Sequence, residues 1–453
     1  MKKSFKLKQK TLTTYFSKSF SSKGQNLIHQ HLLKLKKSPT LAANEYQASQ
    51  QIKAKKVIKF GFGQSPFPIH DLIVEKHREK SFDKAYSPSS GIAELQDSIA
   101  LWLKKYNKLD YNPKNILVGP GTKMMLYLIQ LAFNGESVVP APSWVSYHPQ
   151  AEILNKKCHV PQTKIEDKWF INPTQIDSLY KESQEKKLFI LNSPNNPTGQ
   201  VMKEAQLKQI ADSLIKYKER SIVISDEIYS LYNYENIDSY PSLAHHYYDN
   251  TIITNGISKW GNAGGYRVGF AAFPDSLSDF VGVLTNLASE TFSSASTPAQ
   301  HAAVTCFTES VNNPNVREYI THCSKILEVT GKYVAQRIRK IGGECLDPEG
   351  GFYVFGDFTK LKDSFKTHER IETSGELVRK LSNETGVQVL AGENFCRKDF
   401  ELNFRLSFVD FDAKLVLEKS KNNKLNEDFI KSYMPNIVEG MNLIEDFIKS
   451  KQK

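Results

Sequence analysis

Between about residues 113 and 273 the chain repeats one pattern. A short, wholly apolar, β-branched run is followed by a polar turn and then by a longer stretch with helical spacing. Apolar runs of this length suit strands buried on both faces, and their alternation with helices suits a largely parallel sheet. Ile116-Leu117-Val118 leads through Gly119-Pro120-Gly121 into a helix predicted near 122–134. Ser137-Val138-Val139, Leu188 to Leu191, Ile222 to Ile224, Ile252-Ile253 and Val268 to Phe273 read as further strands. Polar words follow the strand ends: Gly121-Thr122, Ser143-Trp144, Asn192 to Gly199, Asp226 and Lys259. Ligands of open α/β sheets bind beyond the carboxyl ends of the strands, so these segments are expected to converge on one crevice.

A second unit comes next. Helical spacing from Val316 to Ile341 leads to Gly342-Gly343, then to the apolar segment Gly350 to Phe355, a helix near 375–386 and the segment Phe404 to Phe408. Residues 420–432 are polar and charged and read as a loop or insertion, ahead of an amphipathic helix near 437–450. A chain of 453 residues has room for two domains. The expected division is a leader over 1–44, an N-terminal segment over 45–75 packing with the small domain, a large domain over 76–315 and a small α/β domain over 316–453.

Composition changes this picture in one place. The chain carries a net charge of +11, and ten lysines precede its first acid, Glu45; removing those ten leaves 50 basic residues against 49 acidic ones. The body is nearly neutral, so the basicity belongs to the leader and no nucleic-acid surface is expected. The leader has no arginine and no apolar core, but is rich in Ser and Thr. It reads either as a solvated tail on a cytoplasmic protein or as a presequence for the mitochondrial matrix. No apolar run reaches membrane-spanning length. Five widely spaced cysteines without a Cys-x-x-Cys pair support neither a disulfide framework nor a metal site.

The chemistry sits around Lys259, in Ser258-Lys259-Trp260-Gly261-Asn262-Ala263-Gly264-Gly265-Tyr266-Arg267, with Asp226 and Asn195-Asn196-Pro197-Thr198-Gly199 upstream. A lysine amine, a buried acid, an arginine and an asparagine are the parts needed to hold pyridoxal 5'-phosphate. With these words in this order, the chain resembles the class I/II (fold type I) pyridoxal-phosphate-dependent aminotransferases over roughly residues 58–412. The resemblance implies a mostly parallel central sheet in a large domain plus a smaller α/β domain. It also implies ping-pong transfer of an amino group between an L-amino acid and a 2-oxo acid.

Residue by residue, the resemblance makes Lys259 the imine-forming lysine and Asp226 the partner of the ring nitrogen. Tyr229 and Asn196 become donors to the ring oxygen. Arg267, Gly121, Thr122 and Ser258 become phosphate or cofactor contacts, and Trp144 the aromatic on the ring face, with Tyr147 a competing candidate. Tyr86 would reach the phosphate of a neighbouring subunit, implying a homodimer with shared sites. Arg405, Gly63 and Asn196 would bind the substrate, Arg405 through its α-carboxylate. Asp226 could alternatively open the next helix as a cap.

Two departures bear on substrate choice. Gln64-Ser65-Pro66 follows Gly63 where many relatives carry acidic and other polar residues, and Glu290 to Ser294 holds no arginine for a second carboxylate. Two other functions use the same residues: a pyridoxal-phosphate lyase (a carbon–sulfur lyase or cyclopropane-forming synthase) and a non-catalytic cofactor-binding regulator.

Overall fold

The structure is a computed structural model that describes residues 26–38 and 56–451. Most of the leader, and with it the choice between tail and presequence, lies outside the described residues. Two compact units are present, Met1–Lys36 and Lys37–Lys453. The described part of the first holds a single 3-10 turn, Leu32–Lys34.

The larger unit is built on a seven-stranded sheet. Its strands are β2 (Ile116–Gly119), β3 (Glu136–Val138), β4 (Cys158–His159), β5 (Lys187–Asn192), β6 (Ser221–Asp226), β7 (Thr251–Gly256) and β8 (Gly269–Ala272), following β1 (Ile58–Lys59) in the chain. Their order is β2-β8-β7-β6-β5-β3-β4. The run β7-β6-β5-β3-β4 is parallel, while β8 pairs antiparallel with both β2 and β7. Every residue of β5 and β7 is buried. This is the burial that their unbroken apolar composition demands.

A three-stranded antiparallel sheet, ordered β11-β12-β9, comes from the C-terminal part. It combines β9 (Tyr353–Asp357), β11 (Leu390–Ala391) and β12 (Asn403–Ser407), with β10 (Val387–Gln388) pairing separately with β1. The helix Pro314–Lys340 buries a long apolar stripe that includes Val316, Ile320, Leu327, Val334 and Ile338. The helix Ser374–Thr385 is opened by a capping box between Thr373 and Glu376 and closed by Gly386 in the left-handed region.

The segment 420–432 differs from its expected form. Asn426 caps a helix, Glu427–Tyr433, that buries Phe429 and Ile430. Two apolar residues one step apart suffice to dock a short helix, though they are too few to show as a period among charged neighbours. Among the described residues, no helix is long and apolar enough to cross a membrane.

Candidate active site

The carboxyl ends of the sheet open into a cavity of about 510 Å³. Thr122 follows β2, Trp144 follows β3, Asn192 closes β5 and Asn196 follows it, Asp226 closes β6, and Ser258 and Lys259 follow β7; all line it. Gly63, Tyr229 and Arg267 line it as well, and Tyr353 and Arg405 reach it from the smaller sheet.

Asp226 is 3% exposed and accepts hydrogen bonds from the Tyr147 hydroxyl at 2.5 Å and the Thr254 hydroxyl at 3.2 Å. Burial raises its pKa to about 6, against those two donors. It ends a strand and caps no α-helix, since the next element in the chain is the 3-10 turn Ser230–Tyr232. Tyr147 is therefore engaged through its hydroxyl. The half-buried Trp144 ring stands at the cavity wall, edge to face with Tyr147 at 5.2 Å between centroids.

Lys259 donates to the Gly63 carbonyl at 2.7 Å. Burial, then the charges of Arg405 and Arg267, lower its pKa to about 7, with Asp226 opposing them. An amine in that range is substantially uncharged at neutral pH and able to act as nucleophile and base.

Arg267 has φ 54°, which places a bulky residue in the left-handed region. Its guanidinium donates to the carbonyls of Gly264 (3.0 Å) and Pro120 (3.3 Å). Neither of those acceptors is an acid. Gly121 sits against it at φ 86°, and a Cβ there would collide with Arg267 Nη2. Thr122 then begins the helix Thr122–Ala132, whose first turn no side chain caps. A guanidinium beside an uncapped helix N-terminus is an anion site.

Arg405, on β12, is 1% exposed. It donates to Asn196 Oδ1 at 3.0 Å and to the Gly61 carbonyl at 2.5 Å, while its Nε has no hydrogen-bond partner among the described residues. Its guanidinium lies over the Tyr353 ring at 4.5 Å and the Phe395 ring at 5.1 Å. Asn196 is held in turn by Asn192, whose Oδ1 accepts the Asn196 amide at 2.7 Å. Gly199 closes that turn at φ 71°, where a Cβ would meet the Tyr353 carbonyl at 2.5 Å.

A family model, aminotransferase class I and II, matches residues 55–416. The chain belongs to the class I and II aminotransferases. A probable aspartate/prephenate aminotransferase of Aquifex aeolicus is 32% identical over 392 residues, covering 84% of this chain and 94% of that one. An aspartate aminotransferase of Bacillus subtilis is 30% identical over 386 residues, covering 82% and 92%. Among solved structures, an aromatic aminotransferase of Pyrococcus horikoshii superposes with a TM-score of 0.73 at 27% identity, covering 90% of this chain and 99% of that one. The protein is thus a pyridoxal-phosphate-dependent aminotransferase of fold type I, and transfer is favoured over the lyase and regulator readings.

The aminotransferase cavity gathers every residue singled out in the sequence except Gly121, which touches Arg267 behind it, and Tyr86. Tyr86 is 91% exposed. The cavity also includes residues that the sequence motifs did not mark. Tyr353 was hidden in an apolar strand. Lys123 was one more lysine, yet it lies over the Trp144 ring at 5.0 Å. Ser38 lines the cavity too, although it falls within the segment read as a leader. Its lysine-rich flanks masked that placement.

Proposed function

We propose that Lys259 forms the bond to pyridoxal phosphate and serves as the proton-transfer base, with Asp226 at the ring nitrogen and Tyr229 and Asn196 at the ring oxygen. Arg267, Gly121, Thr122 and Ser258 take the phosphate end, Trp144 covers the ring face, and Arg405 with Gly63 receives the substrate α-carboxylate. The observation that carries this reading is the convergence of Lys259, Asp226, Arg267 and Arg405 on one cavity. The residues fit the cofactor. Asp226 is a buried carboxylate whose side-chain hydrogen bonds come from two hydroxyls, suited to a ring N–H⁺. Arg267 has no acidic partner among the described residues, suited to a phosphate.

Bound pyridoxal phosphate supplies an aldehyde for the lysine amine and a ring that withdraws electrons from the substrate Cα. Arg405 clamps the α-carboxylate and so decides which Cα substituent faces Lys259. Lys259 Nζ, uncharged near neutral pH, takes and holds the Cα proton. Asp226 would stay ionised against a cationic ring nitrogen, and the protonated Tyr229 would donate a hydrogen bond to the ring oxygen.

The amino donor in this reading is an acidic L-amino acid of the aspartate type, with a 2-oxo acid as acceptor. The names of the relatives support it, and Lys123 supplies a cation at the cavity wall in place of the arginine missing from Glu290 to Ser294. A panel of amino donors tests it. L-aspartate is expected among the best, and Lys123→Ala is expected to raise its KM about tenfold while leaving a neutral donor within twofold. Equal effects on both donors reject Lys123 as the acid-binding cation.

The working unit in this reading is a homodimer. Tyr86 and Phe82 are each 91% exposed, as residues that dock on a second subunit would be. Sedimentation at twice the 51.5 kDa chain mass checks it. Residues 76–315 and 316–453 form the large and small domains in this reading, and the pairing of β1 with β10 supports placing the described part of the N-terminal segment, residues 56–75, with the latter.

A further inference from the structure

The hydroxyls of Tyr229 and Tyr353 lie 2.9 Å apart, both buried, with the rings nearly perpendicular and 5.7 Å between centroids. Tyr353 also carries the Arg405 guanidinium on its ring face at 4.5 Å. A third contact fixes the hydroxyl itself. A Cβ on Gly63 would collide with Tyr353 Oη, and Gly63 is the residue whose carbonyl accepts from Lys259 Nζ. Gly63 is not among the residues with positive φ, so the backbone does not require glycine there. The space taken by the Tyr353 hydroxyl does. One side chain thus touches the supports of the ring oxygen, the substrate carboxylate and the lysine.

We propose that Tyr353 is a positioning residue whose hydroxyl donates to Tyr229, orienting the Tyr229 proton toward the cofactor's ring oxygen, while its ring holds Arg405 in place for the α-carboxylate. This rests on the roles given above to Tyr229 and Arg405.

Proton counting sets the direction of the shared hydrogen bond. Each phenol has one proton. Burial, first among the causes, raises the pKa of both, so both are protonated across the working range. If Tyr229 gives its proton to the ring oxygen, its own oxygen must accept, and Tyr353 is the donor at hand. A chain of two donors polarises, so the terminal one binds a negative oxygen more strongly than it would alone. The charged groups facing the pair are Arg405 from β12, Asp226 at the end of β6 and Lys259 after β7, whose Nζ lies 5.7 Å from the Tyr229 ring centre. In the cofactor-loaded chain a negative ring oxygen would favour the protonated form of the adjacent Lys259 nitrogen, and a donor to that oxygen would offset the effect. Weakening the donor raises the nitrogen's pKa.

The test is a pH titration of the visible absorbance of the cofactor-loaded full chain, which needs no substrate. Tyr353→Phe is expected to raise the midpoint by about one unit, a tenfold change in the proton equilibrium. The phenyl ring remains under Arg405, so KM for the best amino donor is expected to stay within about twofold while kcat falls several-fold. Tyr353→Leu removes the ring as well and is expected to raise that KM about tenfold in addition. In a Tyr229→Phe background, Tyr353→Phe is expected to shift the midpoint no further, because its hydroxyl acts through Tyr229. An unchanged midpoint in Tyr353→Phe, or a shift that simply adds to that of Tyr229→Phe, overturns the proposal. A wild-type chain that takes up the cofactor without a visible band would instead overturn the role of Lys259, leaving the two failures distinct.

Discussion

The two ends of the parallel sheet both hold buried charge, and they treat it in opposite ways. At the amino ends, Glu136 on β3 meets Lys157 at 2.8 Å, His159 on β4 at 2.7 Å and Lys187 on β5 at 3.1 Å. Burial alone would raise the Glu136 pKa, but hydrogen bonds from Lys157, His159 and Lys187 outweigh it and bring it down to about 2. At the carboxyl ends, Asp226 is raised to about 6 and Lys259 lowered to about 7, both chiefly by burial. One end satisfies its ions within the protein and has no reactive group to offer. The other holds an acid and a base toward neutrality, the condition for exchanging protons with a bound ligand.

The comparison breaks first at Lys259. Lys259→Ala is expected to lower multiple-turnover transamination by more than about a thousandfold and to abolish the visible absorbance of the bound cofactor, without lowering the melting temperature. At the other end the pattern should invert. Lys187→Met leaves Glu136 without its fully buried partner and is expected to cost about 3 kcal/mol in denaturant unfolding, with kcat per folded molecule unchanged. A loss of kcat there would show that the two ends are coupled.

The pH dependence sharpens the contrast. The Lys259 amine loses its proton above about 7, so cofactor capture by the cofactor-free chain should rise with pH and level off above that value. Levelling only above about 9 would mean an ordinary, solvated lysine. The smallest effect belongs to Glu136. Its folded pKa lies below the ordinary 4.5, so its stabilisation is present above 4.5 and fades as pH falls towards about 2. Glu136→Gln should flatten that part of the acid unfolding curve.

The sheet was largely legible because strands buried on both faces must be apolar at their centres: β2, β5, β6 and β7 each contain the run that marked them, and β8 lies within its run. What pattern could not show was the antiparallel insertion of β8 between β2 and β7, since an apolar run carries no direction. The helix Glu427–Tyr433 escaped because two buried residues set no period. Within the site, Lys259, Asp226 and Arg405 were legible through the words around them. Tyr353 was not: a tyrosine in an apolar strand looks like core until its hydroxyl is found beside another.

The sequence by itself determined the chemistry on offer, because a lysine, an acid, two arginines and an asparagine in fixed order are written in the covalent chain. Only the tertiary structure decided the protonation of Lys259 and Asp226 and the use of Tyr147, which also lines the cavity, as a donor to Asp226. It also decided the meeting of Tyr353 with Tyr229 and Arg405. The reason is physical. A pKa and a hydrogen bond depend on what surrounds a group in space, and those surroundings come from separate segments, 79 residues apart for Tyr147 and Asp226 and 124 for Tyr229 and Tyr353.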